Sequence, residues 1–600
     1  MGMNLIEKIL ASHSKHEVVK PGEIIDVFID TRAARDFGGA NVVKNLNDHG
    51  LTIENPSRTF FTFDCNPTGS DQSYAVNQHI CRMYAREHDI KIYDINSGIG
   101  THILVDHGLA WPGCTAVTTD SHANILGAIG AFGQGMGDMD VAAVWANGKI
   151  WFKVPPSVKI ILNGRRPAGL SAKDITLNLL HHFGANGLLG YSAEIHGSAV
   201  DEFTLDERIT IASMGTEMGA VILFFTPSGE ILEYCSMKTG RAIEMIQADP
   251  DAVYERIYEL NLEDFVTRVS RPGKPHDTAP LAEVKKLRID SAFIGSCTNG
   301  RMEDMRVVAG ILRGRKVAPG VVLKIVPSTD EVWQQCLREG IIQVFKEAGA
   351  LVSNAGCAGC AAGQVGQNGP GEVTISTGNR NFPGKQGRGD VYLASPAVVA
   401  ASALAGYITG PQEIPSSPAP PAKPAKTAAT VKSKISKTQK QTILEGRVWL
   451  IRNDNIDTDM IYHNRHLTVT DIREMGQYAF GNLKGFEDFA VKARPGDMIV
   501  TGKNFGAGSS RQQAVDCFLS LGISAIIAES FSAIYERNAI NAALPVLTCN
   551  SITDLEINEG DRIRLNLGTG VLENITKGKI TTINPFSEVQ MNIYLQGGLF

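Results

Sequence analysis

Cys357 and Cys360 are separated by Ala-Gly in the stretch NAGCAGCAAGQVG (residues 354–366), where no neighbour is larger than Gln or Val. A CxxC pair on so bare a loop has three chemistries open to it: half of a zinc site, a redox dithiol, or part of an iron-sulfur site. A tetrahedral zinc site calls for a second pair at similar spacing, which the chain lacks, and a thioredoxin-type pair opens a helix, which Gly356 and Gly359 disfavour. A third thiol, Cys297 in FIGSCTNGR, follows an apolar run and sits on a turn of Gly, Ser, Thr and Asn. Three thiolates on polar loops could hold a cubane cluster through three of its irons, leaving the fourth as an open Lewis acid.

Two other clusters carry chemistry. Asp120, Ser121 and His122 directly follow the apolar run CTAVTT, Cys114–Thr119. Taken alone, the triplet reads as an Asp or Ser N-cap for the glycine-rich helix expected after it. FGAGSSRQQA also reads as a helix start at Ser509 or Ser510, but Gly506, Gly508, the two hydroxyls and Arg511 equally suit an anion-binding nest. GNRNFPGKQGRG is basic and glycine-rich, yet it lacks the spacing and final Ser/Thr of a phosphate loop; Arg380, Lys385 and Arg388 suit carboxylates instead.

These loops need strands and helices to hold them. CTAVTT and DSAFIGS (Asp290–Ser296) are strand-like runs ending in polar loops, and MEDMRVVAGILRG follows with helical periodicity. Strand-loop-helix units place such loops at the carboxyl ends of strands, where α/β sites form. GRVWLIR, GDMIVTG and ISAIIAES predict a second α/β unit of about 160 residues near the C-terminus. Between the two sections runs GPQEIPSSPAPPAKPAKTAATVKSKISKTQKQT, Gly410–Thr442, a Pro/Ala/Lys/Ser stretch without apolar periodicity that reads as a linker. If flexible, its some 30 residues would span roughly 30 Å.

At 600 residues the chain calls for several domains, each with its own core. With 43% hydrophobic and 20% charged residues and a formal charge of −6, it lacks the basic surplus that nucleic acid or anionic lipid favours. No run reaches the 18 or so apolar residues of a membrane span, and MGMNLIEKILASHSKHEVVK reads as an amphipathic helix, so a cytoplasmic protein is expected. Ten irregularly spaced cysteines do not make a disulfide framework.

In order and spacing, FIGSCTNGRMED, GCAGC and STGNRNFPGKQGRG resemble the aconitase and isopropylmalate dehydratase family. The resemblance extends to GTHILVDHGLAWPG, TTDSH and YSAEIHG upstream and to NIDTDMI, GAGSSRQQA and FSAIYERNAINAALPV downstream, and so covers nearly the whole chain. It implies an α/β architecture in which residues 1–285 form two domains and 286–410 a third carrying the cluster ligands. Residues 411–442 would be the linker and 443–600 a swivelling α/β domain like the family's small subunit, here on the same chain as the large one.

The resemblance also implies the site. Cys297, Cys357 and Cys360 would hold a 4Fe-4S cluster with one iron not ligated by protein, and the reaction would be reversible elimination and addition of water on a hydroxy-polycarboxylate. Ser509 matches the base that takes a proton from carbon; its alkoxide would need N–H groups and Arg511 for stabilisation. His102, Asp120, His122 and Glu194 match the acid side. Ser121, Asn379, Arg380, Ser510 and Arg511 match substrate and cluster contacts, with Arg465 and Thr468 on the variable loop YHNRHLTV.

Two departures stand out. Asp64-Cys65 replaces the family's common Asp-His pair, and Lys385 replaces an Arg; a thiol is a weak donor beside imidazolium, and Lys lacks Arg's bidentate fork. The expected activity is that of an iron-sulfur hydro-lyase, most like 3-isopropylmalate dehydratase. Alternatives are an aconitate hydratase, homoaconitase or methylmalate-type dehydratase and, more remotely, an inactive or RNA-binding relative. No nucleic-acid or membrane partner is expected, and the oligomeric state is expected to be a monomer or small homo-oligomer.

Overall fold

The computed structural model describes residues 2–69, 71–360, 365–418, 440–467, 469–550 and 552–599. It divides into two compact units: the first comprises residues 1–40, 53–135 and 147–429, the second 41–52, 136–146 and 430–600. The central part of the expected linker, 419–439, lies outside the described residues.

Three α/β sheets of the first unit are built on parallel strands. In one, the strands run Lys91–Tyr93, Thr59–Thr62, Thr31–Arg35, Thr115–Thr118, Phe132–Gly135, all parallel. Chain order runs outward from Thr31–Arg35 on one side and from Thr115–Thr118 on the other, so the sheet has a switch point between these two strands. A crevice opens at the carboxyl ends of strands at such a point, and open α/β sheets bind ligands there.

A seven-stranded sheet repeats the plan. Its five parallel strands are ordered Asp390–Leu393, Val373–Ser376, Ser291–Ile294, Val322–Ile325, Leu351–Val352, with the switch point between Ser291–Ile294 and Val373–Ser376. The third sheet joins Ile222–Phe225, Ser192–His196, Ser157–Asn163 and Arg256–Asn261. The strands predicted at CTAVTT and DSAFIGS and the helix Met302–Leu312 are all present. So is the N-terminal helix, Leu5–Ser12, closed by a capping box between Asn4 and Glu7.

The second unit is built on a mixed sheet whose parallel strands Val546–Thr548, Ala525–Ala528, Met498–Thr501 and Ile443–Ile451 continue into three antiparallel ones. Val448, Val500 and Ile527 are fully buried in its core, as the three β-rich runs predict. Among the described residues no helix is long and apolar enough to cross a membrane.

Candidate functional site

The charged groups of the first sheet gather at the carboxyl ends of three neighbouring strands. Arg35 is the last residue of Thr31–Arg35, Asp64 lies two residues beyond Thr59–Thr62, and Asp120 two beyond Thr115–Thr118. All three are buried. Arg35 Nε donates to Asp64 Oδ1 at 2.7 Å, and Nη1 lies 3.3 Å from Asp120 Oδ1. The other Asp64 oxygen accepts the Gly100 N–H at 2.8 Å, at the start of the helix Gly100–Asp106. A Cβ on Gly100 would meet Thr62 Oγ1 at 2.3 Å, so only glycine lets this helix begin so close to the strand.

The thiols come from the seven-stranded sheet. Cys297 lies three residues beyond Ser291–Ile294, and Cys357 follows Leu351–Val352. Both are buried and in no disulfide. The residues beside them, Ser296 (φ 76°) and Ala358 (φ 50°), occupy the left-handed region, which costs roughly 1–3 kcal/mol each and is held where the surrounding structure over-determines it. The Cys357 N–H donates to the Asp64 carbonyl at 2.9 Å, and Arg35 Nη2 donates to its sulfur at 2.7 Å. Asn379, across the switch point, accepts from Cys297 Sγ at 3.3 Å, and His102 Nε2 lies 3.0 Å from the Cys297 carbonyl. Cys360 closes the short turn Ala358–Cys360; its side chain lies outside what is described.

His122 links the two sheets' ends. Its Nδ1 lies 3.6 Å from Asp120 and its Nε2 3.3 Å from Glu217 Oε1, an oxygen that also accepts from Arg380 Nε at 2.6 Å. Arg380 in turn donates to the Ser121 hydroxyl at 3.4 Å. Burial opposes protonation of His122, but the Cys297 sulfur and Asp120 override it and raise its pKa well above the ordinary range. Burial would raise Glu217, yet Arg380 and His122 hold it down at about 2. His102 is the opposite case: burial, with Arg301 nearby, depresses it to about 4 and leaves a neutral ring. Asp64 is pushed up to about 6 by burial, with Asp36 and Asp120 adding to the effect against Arg35.

The N-cap reading of Asp120-Ser121-His122 does not hold. The following 3-10 helix, Ala123–Ile129, is capped at His122 without a side-chain bond, and Asp120 Oδ1 instead accepts the His122 backbone N–H at 3.0 Å. Nor does Ser509 or Ser510 cap a helix: Gln513–Leu521 begins after Gln512, with no side-chain cap.

In the second unit the GAGSSR loop is pinned by its glycines. A Cβ on Gly506 (φ 75°) would strike the Tyr535 ring at 2.1 Å, and one on Gly508 (φ 91°) would strike Asp457 Oδ2 at 1.9 Å. The expected nest is reduced, because the N–H groups of Gly506 and Ala507 are both donated to the Ile456 carbonyl. Ser509 is half-buried and Ser510 buried. Arg511 is buried against Asp459 Oδ1 at 2.5 Å and the Tyr462 carbonyl at 2.9 Å.

The structure thus brings Asp64, Asp120, His122, Cys297, Cys357, Asn379, Arg380, Ser121 and His102 into one network. Glu194 is placed elsewhere in its bonding: it accepts from the Leu5 N–H (2.8 Å) and Tyr254 hydroxyl (2.6 Å) and lies 3.2 Å from His196. Lys385 is buried on its loop. Arg465 is exposed and donates to His466, and Thr468 lies outside the described residues. Two members of the network were not singled out from the sequence, Arg35 and Glu217. Arg35-Asp36 closing the small-residue strand TRAAR, and a lone carboxylate among small residues in MGTEMGA, were the available signals.

Four buried polar atoms in this network have no hydrogen-bond partner among the described residues: His102 Nδ1, Asp120 Oδ2, Glu217 Oε2 and Asn379 Nδ2. Buried polar groups are rarely left so, and four beside two buried thiols mark a place that something other than protein completes. Thiolate donors on polar loops with carboxylates and imidazoles around them suit an iron-sulfur cluster and a polar, acidic substrate.

Comparison with known proteins agrees. Residues 7–406 match the Aconitase family (aconitate hydratase), and residues 425–551 match the Aconitase C-terminal domain. The homoaconitase large subunit of Thermus thermophilus is 40% identical over 417 residues, 69% of this chain and 98% of that one. The 3-isopropylmalate dehydratase large subunit 1 of Methanopyrus kandleri is 38% identical over 416 residues, 69% of this chain and 99% of that one. A solved 3-isopropylmalate dehydratase (leuD) from Methanocaldococcus jannaschii is 36% identical over 26% of this chain and 90% of its own, with a TM-score of 0.25. With a match across two thirds of its length and relatives covered almost end to end, the chain belongs to the aconitase family and is a hydro-lyase.

Proposed function

We propose that the protein reversibly dehydrates a 2-hydroxy di- or tricarboxylic acid, most closely of the 3-isopropylmalate type, with both family subunits' functions on one chain. The reading is carried by the two buried thiols at the carboxyl ends of parallel strands, ringed by buried polar atoms without partners. The family implies a 4Fe-4S cluster. Cys297, Cys357 and Cys360 would hold it, leaving one iron without a protein ligand; when bound, it supplies a Lewis acid for the substrate's hydroxyl and a carboxylate.

The chain's own residues do the proton work. His122, kept protonated between Asp120 and Glu217, delivers a proton to the departing hydroxyl and, in the hydration direction, takes one back. Neutral His102 is fixed by the Cys297 carbonyl and offers Nδ1 as its second hydrogen-bonding atom. Ser509 takes the proton from carbon, and Arg511, held by Asp459, stabilises the charge that develops there. Arg380, Lys385 and Arg465 supply the positive charge that carboxylates require, with Ser121, Asn379 and Ser510 as hydrogen-bonding partners. Glu194 and Asp64 belong to the acid side, Glu194 through His196 and Asp64 through Arg35. Thr468 lies on the loop that would discriminate substrates.

The test is anaerobic reconstitution with iron and sulfide, followed by a screen of 2-hydroxy di- and tricarboxylates for the ultraviolet absorbance of the conjugated alkene product. Turnover of a branched aliphatic malate above that of citrate supports the reading. A reconstituted chain that turns over none of them would end it.

A further inference from the structure

Arg35 is the one cation that touches both carboxylates and a thiol of this centre among the described residues. Its three nitrogens point to three different groups: Nε to Asp64, Nη1 toward Asp120, Nη2 to the Cys357 sulfur. The guanidinium lies against the Phe37 ring, 5.2 Å from its centroid, and the side chain is buried. Two buried carboxylates and a buried sulfur packed together need a matching positive charge, and a buried charge left unmatched is costly. Position 65, the neighbouring residue of the same loop, cannot provide it: Cys65 offers only a thiol, 3.3 Å from Asp64 Oδ1. A guanidinium can serve all three acceptors because its donors are fixed in a plane and diverge.

The loop is built to keep this arrangement. Asp36, next to Arg35, accepts the N–H groups of Cys65 and Asn66 (3.0 and 3.1 Å) and the Gln78 side chain (2.9 Å). The strand end that carries Arg35 therefore also clamps the loop that carries Asp64.

We propose that Arg35 is the permanent cation of this centre: it orients Asp64 and Asp120 and, by donating to the Cys357 sulfur, sets the reduction potential of the cluster. This rests on the reading that Cys297, Cys357 and Cys360 hold a cluster. Hydrogen bonds and charges at cluster sulfurs are among the levers that set such potentials, and a nearby positive charge favours the reduced, more negative form. Arg35 is thus a positioning residue whose role at position 35 makes a charged side chain at position 65 unnecessary.

The experiment compares wild type, Arg35→Lys, Arg35→Gln and Arg35→Gln with Cys65→His, each reconstituted anaerobically. Iron and sulfide content is measured, and the potential is read by redox titration of the reduced cluster's paramagnetic signal. Arg35→Gln should retain the cluster but lower its potential, so that the oxidised-to-reduced ratio at fixed ambient potential rises about tenfold, or about 59 mV for a one-electron couple. Arg35→Lys should shift much less, and Cys65→His should recover part of the loss. A wild-type potential in Arg35→Gln, or equal shifts in the Lys and Gln variants, would overturn the proposal. If Arg35→Gln assembles no cluster, restoration by Cys65→His supports it and failure to restore overturns it. Absence of iron and sulfide from the wild-type chain would instead refute the cluster reading itself.

Discussion

His122 Nε2 and Glu217 Oε1 lie 3.3 Å apart in the buried interior, with Asp120 on the other side of the imidazole. Together with the Cys297 sulfur, Asp120 favours the protonated form of His122, the form that the proposed proton transfer to the departing hydroxyl needs. Glu217 is kept ionised by Arg380 at 2.6 Å. Replacing Glu217 with Gln removes the negative charge that faces His122 Nε2. Turnover should fall by roughly 10²–10⁴-fold, the usual contribution of a positioned acid-base group. Cluster content should be unchanged, since Glu217 acts on His122 and Arg380. Steady-state rates alongside iron and sulfide assays check both.

Ser509→Ala tests the base. The loop conformation is set by Gly506 and Gly508 rather than by the serine side chain, so the variant should fold normally. Exchange of the substrate's carbon-bound proton with solvent should be abolished while the cluster spectrum stays as in wild type. Wild-type turnover in this variant would show that another group takes the proton.

Cys65 lies buried beside Asp64, and Arg35 already supplies positive charge there. Cys65→Ser should therefore retain most activity, because it exchanges one small, weakly polar group for another. Cys65→His in the otherwise wild-type chain should not raise turnover, since a larger ring competes for space in a closed site. A large gain in hydration of an unsaturated dicarboxylate by Cys65→His would contradict this.

The second unit should show a pH dependence of stability. Asp138, buried and accepting from Asn41 at 2.8 Å, is raised by burial from 3.8 to about 7. Its native pKa exceeds its unfolded one, so the contribution is fully present below about 4 and is lost as pH rises through about 7. Asp138→Asn removes the charge that must be buried above that range. Its unfolding temperature, relative to wild type, should rise between pH 5 and pH 8. A difference that does not change with pH would show that Asp138 is not the group responsible.

From the sequence alone came the α/β class, the strands before Asp120 and Cys297, the helix Met302–Leu312, the three β-rich runs of the second unit and the family. These are local or motif-borne: an apolar run ending in Gly, Ser and Asp states its own strand and loop. What a loop residue does was not local. Taken alone, Asp120 reads as a helix cap and Ser509 reads as one equally with an anion-binding nest, and only the backbone shows that neither caps a helix. The nest at GAGSSR was overstated because the Ile456 carbonyl, some 50 residues earlier, takes two of its N–H groups. The roles of Arg35 and Glu217 were hidden for the same reason, the local signals saying nothing of partners: Arg35 finds Cys357 across 322 residues and Glu217 finds Arg380 across 163. Parallel sheets bring distant loops to one edge at their switch points, and a buried charge takes its meaning from whichever partner the other strand delivers there. That partner is decided by tertiary structure.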